Sequence, residues 1–169
     1  MSIQELLEHE HSREQTDKVV LFVGNDGSRF SELMNLVLAN KKPVSQRAAW
    51  AMSLAVQEFP FLFEPYFEPI IALIRQPNVH DSVLRNSLKI LEELPIPVQY
   101  QGLVVDICLD FILEPQKSSA IKAFAITTLQ IICRQHPELA SEVKLILVER
   151  MEFEKPAYNS RAKKFLKEF

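Results

Sequence analysis

Asp106, Asp110 and Glu114 recur every four residues, a spacing that stacks three carboxylates along one face of a helix. Paired carboxylates can divide acid and base work between them when burial separates their pKa values. This stripe lies opposite the apolar positions Val104, Ile107, Cys108 and Phe111, so it is expected to face water and to serve solvation or a partner, not catalysis. His9-Glu10-His11 offers two imidazoles two residues apart, which a helix would turn to different faces, and no further ligand completes a metal site. Gly24-Asn25-Asp26-Gly27-Ser28 has the glycines of a phosphate-binding loop. It lacks both the G-x-G-x-x-G spacing and a Gly-Lys-Ser/Thr ending, and no strand precedes it, so it reads as a turn between helices. His80 and His136 fall in predicted turns, with no serine or cysteine placed to act as a nucleophile beside them. Cys108 and Cys133 sit inside apolar helical patterns without metal-type spacing, which predicts reduced, packed thiols and suits a reducing cytoplasm. No catalytic residue, metal or cofactor is expected from these groups.

The elements that would position them are helices. Between Pro43 and Pro77, Val44, Ala48, Ala51 and Ala55 form one helical stripe and Arg47, Trp50 and Leu54 the next, which predicts a helix over 44 to 58. Pro60 stops it. Glu64-Pro65 is expected to restart a second helix with the apolar stripe Phe67, Ile70, Ile71 and Ile74, and the Phe-rich corner between the two is expected to close the core. Ser12 is a candidate N-cap for a first, divergent pair over 12 to 40, a third pair is predicted over 79 to 94 and 97 to 114, a fourth over 118 to 135 and 138 to 153, and a lone helix over 157 to 168. Trp50, Leu54, Leu88, Leu91, Phe124 and Leu129 are the expected shared core.

The pairs repeat. Pro43, Pro77, Pro115 and Pro156 stand 34, 38 and 41 residues apart, each just beyond an apolar helical pattern. A basic residue follows each of them, Arg47, Arg85, Lys122 and Arg161, at steps of 38, 37 and 39. A helix pair recurring at this length is the mark of an alpha-solenoid. The pattern resembles the HEAT family, whose units start on a small polar or acidic residue, then place Val or Ile near Arg, then small and large apolar residues. Asp81, Val83 and Arg85 match best, Asp81 and Ser118 double as candidate N-caps, and the resemblance runs over residues 12 to 169, although the Leu-Gly that often closes the first helix is missing. It implies an all-α fold, a right-handed alpha-alpha superhelix of about four helix pairs in a single repeat domain over 12–169, preceded by an acidic segment, 1–11. In such units the recurrent basic residue caps or bridges between repeats, which is the expected role of all four.

Composition agrees. With 169 residues, 47% hydrophobic and 24% charged, the chain can bury a substantial core, and three glycines with little alternating pattern leave small scope for strands. A net charge of -3 argues against a general electrostatic grip on nucleic acid. The start lacks the pattern of a secretory signal, and the weakly polar run from Ser119 to Cys133 is too short to span a membrane. The function expected is therefore a non-enzymatic interaction or scaffold module that offers the concave face built by its second helices to a protein or peptide, with Tyr66, Arg75, Tyr100, Asp106, Asp110, Lys144 and Glu149 as the candidate contact residues. Alkylpurine DNA glycosylases are also built from HEAT-like repeats, so the resemblance allows nucleic-acid binding as the alternative. The terminal helix, with Phe165, Leu166 and Phe169 beside four basic residues, is a further candidate surface for weak homo-oligomerisation.

Overall fold

Ser12, Asp26 and Ser118 each begin a helix by accepting a backbone N–H through the side chain: Ser12 Oγ from Gln15 at 3.1 Å, Asp26 Oδ1 from Ser28 at 2.8 Å, and Ser118 Oγ from Ile121 at 3.3 Å. The computed structural model describes residues 1–169 and contains only helices: α1 (Ile3–His9), α2 (Arg13–Val23), α3 (Gly27–Leu38), α4 (Val44–Glu58), α5 (Phe67–Ile74), α6 (Asp81–Glu93), α7 (Val98–Leu113), α8 (Ser119–Gln135), α9 (Ala140–Arg150) and α10 (Pro156–Glu168), with short 3-10 stretches at Pro60–Tyr66, Pro137–Leu139 and Met151–Phe153. Pro43 precedes α4, Pro77 and Pro115 lie in turns, and Pro156 is the first residue of α10, so all four recurrent prolines punctuate helices as their spacing predicts. No helix is long and apolar enough to cross a membrane.

Two compact units divide the chain, Met1–Ile90 and Leu91–Phe169. In the first, α4 packs against α1, α2 and α3. Its buried face is made largely of small side chains, Ser45, Ala48, Ala49, Ala51, Ser53 and Ala55, and so leaves room for neighbouring helices to approach closely. The Ser53 hydroxyl sits 2.9 Å from Asn86 Oδ1 and links α4 to α6. In the second unit α8 occupies the corresponding place, packed against α7 and α10. Ile121, Ala125, Ile126, Leu129, Ile132 and Cys133 of α8 are buried, and Tyr158 of α10 is wholly enclosed with its hydroxyl donating to the Leu147 carbonyl at 3.2 Å.

Four details differ from expectation. Residues 3–9 form a helix, begun by a capping box in which Ser2 and Glu5 each accept the other's backbone N–H, and Ile3 and Leu7 anchor it in the core. The second helix of the Pro43–Pro77 stretch starts at Phe67, because Pro60 and Pro65 hold the intervening chain in a 3-10 winding. The start of α6 is capped by His80, whose Nδ1 accepts the Ser82 N–H at 3.0 Å, while Asp81 is already helical. Of the expected core, Leu88, Leu91 and Leu129 are fully buried. Trp50 and Leu54 are only half-buried, since the small-residue face of α4, not its large-residue edge, meets the neighbouring helices, and Phe124 of α8 is half-buried too. The Phe-rich corner closes the core with Phe63 and Phe67, packed edge to face at 5.0 Å, and leaves Phe61 outside.

Gly102 stands mid-helix in α7 with nothing within 4 Å of where a Cβ would lie and no left-handed backbone to require it. Gly102→Ala is therefore expected to stabilise the chain by about 0.5 to 1 kcal/mol through helix propensity alone. A raised urea midpoint at unchanged m-value checks this.

Candidate interaction surface

In the second unit α7 and α9 each turn one face toward solvent. α7 buries Gln101, Val104, Val105, Ile107, Cys108, Phe111 and Ile112, and the 3.6-residue period then exposes Gln99, Gly102, Asp106 and Asp110. α9 buries Ala140, Val143 and Leu147 and exposes Ser141, Glu142, Leu145, Val148 and Glu149. Every charged group exposed on these two helices is a carboxylate. The two basic residues of α9 point elsewhere: Lys144 Nζ donates to the Phe169 carbonyl at 2.9 Å, and Arg150 Nη2 lies 2.8 Å from Glu154 Oε1.

Glu154 is the hinge of a buried ionic corner. Its Oε1 accepts from Lys122 Nζ of α8 at 2.7 Å and from Arg150 of α9, immediately before α10 begins. Burial by itself raises the Glu154 carboxyl, but the hydrogen bonds from Lys122 and Arg150 outweigh it and hold the group below the usual carboxylate range. Near the start of α7 a hollow of about 180 Å³ is lined by Val98, Gln101, Gly102, Val105, Ile132, His136, Glu138 and Leu139. Its polar atoms are used internally: Gln101 Nε2 donates to the Ile96 carbonyl and to Gln135 Oε1, both at 3.0 Å, and Gln101 Oε1 lies 2.7 Å from His136 Nε2. His136 must then donate from Nε2. Glu138 Oε1 lies 3.6 Å from His136 Nδ1 at its exposed rim, and no serine, threonine or cysteine lines the hollow.

Burial pushes both thiols up, Cys133 to about 11, so neither supplies a thiolate near neutrality. The Gly24 to Ser28 loop is a turn whose Asp26 caps α3, and the N–H groups of Arg29 and Ser28 hold that carboxyl below its ordinary range. No group of three or more His, Cys, Asp or Glu side chains is gathered as a metal ion would require. A family model described as a HEAT repeat domain matches residues 3–169. The chain belongs to the HEAT-repeat family. No curated protein and no solved structure matches it. The family is in keeping with a non-enzymatic protein.

Within this HEAT-repeat chain three of the four recurrent basic residues, Arg47, Lys122 and Arg161, tie elements together, whereas Arg85 departs from the role expected of it. Arg47 Nη1 donates to the Leu7 carbonyl at 2.6 Å and the Glu8 carbonyl at 3.3 Å, which caps the C-terminal end of α1. Lys122 is buried against Glu154, and Arg161 donates to Thr127 Oγ1 of α8. Arg85 is exposed on α6. Of the seven candidate contact residues, Tyr66 and Arg75 belong to the first unit. The Tyr66 ring is half-buried, edge to face with Phe30 at 5.5 Å, and Arg75 is exposed just past α5. Asp106 and Asp110 share the exposed stripe of α7, Tyr100 is half-buried in its first turn, Glu149 is exposed on α9, and Lys144 is half-buried with its ammonium engaged. Sequence reading passed over Leu145, Val148 and Glu142 of α9 and the central role of Glu154. Of the last, the sequence shows only the local part, Arg150 and Glu154 standing four residues apart. Phe165 of α10 is fully buried, and Phe169 stacks on it at 4.8 Å, so most of the apolar surface expected to be bare at this end is covered within the chain.

Proposed function

We propose that this HEAT-repeat chain is a non-enzymatic interaction module that presents the solvent faces of its second helices, those of α7 and α9 foremost, to a protein or peptide partner. The observation that carries the reading is the composition of those faces, apolar and acidic side chains with their basic residues withdrawn into internal bonds. Such a surface offers hydrophobic contact with charge selectivity. It disfavours a phosphate backbone, which needs Lys and Arg presented outward, and this supports protein binding over the nucleic-acid alternative. A reducing intracellular location fits the two free buried thiols and belongs to the same proposal.

The test compares the tagged chain with its Asp106→Lys/Asp110→Lys/Glu142→Lys/Glu149→Lys variant as bait in extracts of the native source, alongside titration of single- and double-stranded 20-mer DNA and RNA. A discrete set of proteins held by the parent and released by the variant is expected, with no nucleic-acid binding below about 10 μM at physiological salt, tighter than the weak end of ordinary non-specific binding. A protein set indifferent to the four substitutions, or submicromolar binding of an oligonucleotide, overturns the reading.

A further inference from the structure

We propose that the solvent face of α9 docks a basic amphipathic helix, one with an apolar stripe flanked by lysine or arginine. This deepens, and rests on, the interaction reading above. Two residues along a helix turn it by about 200°, so Leu145 lies opposite Val143 and Leu147, both buried. A helix of this kind ordinarily places a charge there. Instead Leu145 is 66% exposed and Val148 55%, three residues apart and therefore neighbours on the surface, and Phe153 on the following 3-10 turn is 77% exposed. Glu142 and Glu149, seven residues apart, line one flank of this pair, and Glu152 is exposed beyond it.

Charge decides what can cover the stripe. No cation on α9 is presented outward, because Lys144 is held by the Phe169 carbonyl and Arg150 by Glu154. An apolar partner with acidic flanks would meet uncompensated carboxylates as it buried Leu145 and Val148, whereas lysine or arginine flanks would pair with Glu142 and Glu149. A helix fits the spacing, since side chains three and four apart on both partners interlock as ridges and grooves. The exposed face of α10, with Lys163, Lys164 and Lys167, carries the opposite sign and would repel the same partner.

The probe is a labelled 14-residue helical peptide with leucines at helical spacing and lysine flanks, together with its twin in which glutamate replaces each lysine, titrated by fluorescence anisotropy against the full chain. The lysine peptide is expected to bind at least tenfold more tightly than the glutamate twin, and to weaken as salt rises. Leu145→Asp/Val148→Asp should weaken it tenfold or more even though the surface becomes more negative, a sign that charge alone would reverse. Glu142→Lys/Glu149→Lys should switch the preference to the glutamate peptide, and Asp106→Lys/Asp110→Lys on α7 should change neither. All of these side chains are exposed, and unchanged circular dichroism confirms that the variants fold. Equal binding of the two peptides, undiminished lysine-peptide binding by Leu145→Asp/Val148→Asp, or loss of binding through the α7 pair overturns the proposal. So does a parent dimer that Leu145→Asp/Val148→Asp dissolves, which would make a second copy the occupant. If the peptides fail while native proteins are still released by the α7 substitutions, the inference falls and the interaction reading stands. If no protein is held at all, both fall.

Discussion

Glu154→Gln is expected to destabilise the second unit by about 3 to 5 kcal/mol, the cost of leaving a buried charge without its partner. The geometry is what makes the effect large. The Lys122 side chain is 3% exposed and that of Glu154 8%, at 2.7 Å, so a lysine stranded there is poorly solvated. Replacing both, as Lys122→Met/Glu154→Leu, should recover most of the loss, because two matched apolar groups leave no buried charge and Arg150 retains partial access to solvent. Urea denaturation followed by circular dichroism measures all three chains, and a Glu154→Gln midpoint equal to the parent's would show that the corner contributes nothing.

The same corner predicts an acid response with a definite sign. Glu154 has a folded pKa below its unfolded value, so its contribution is fully present above the ordinary glutamate range, about pH 4.3, and is lost as pH falls through the folded value. The gap between parent and Glu154→Gln should therefore be constant from about pH 5 to 8 and narrow below about pH 4. Glu168, hydrogen-bonded by Arg134 and Gln130 and lowered to about 2, loses its pairing in the window beneath that, but on an exposed surface where the effect is small.

Leu129→Ala and Leu88→Ala should each cost about 2 to 5 kcal/mol, the transfer of a leucine plus the cavity left behind. Both are completely enclosed, and Leu129 lies on α8, which is packed on two sides. Leu54→Ala, at a position that is only half-buried, should cost clearly less. Equal losses for Leu54 and Leu129 would mean that the face of α4 turned inward is not the small-residue one.

The period of apolar residues, the prolines and the capping serines were enough to place nine of the ten helices, because each of these acts locally, through backbone sterics and hydrogen bonds a few residues apart. The recurrence of basic residues near every 38 positions likewise marked a repeated helix pair, in keeping with the family match over residues 3–169. α1 was legible in principle from Ser2, Glu5 and the Ile3–Leu7 pair, but two buried residues are a thin signal until Arg47 is seen to cap its end from forty residues away. Which stripe of α4 faces inward was not legible, since large and small apolar residues lie on adjacent stripes and only the closeness of neighbouring helices selects the small one. The same is true of the α9 surface. Leu145 reads like any core leucine in a chain with 47% hydrophobic residues, and only the packing of Val143 and Leu147 inward leaves it outside. Nor could sequence bring Lys122 to Glu154, because a charge pair 32 residues apart forms only when α8, α9 and the start of α10 converge and exclude the water that would otherwise keep the two charges apart.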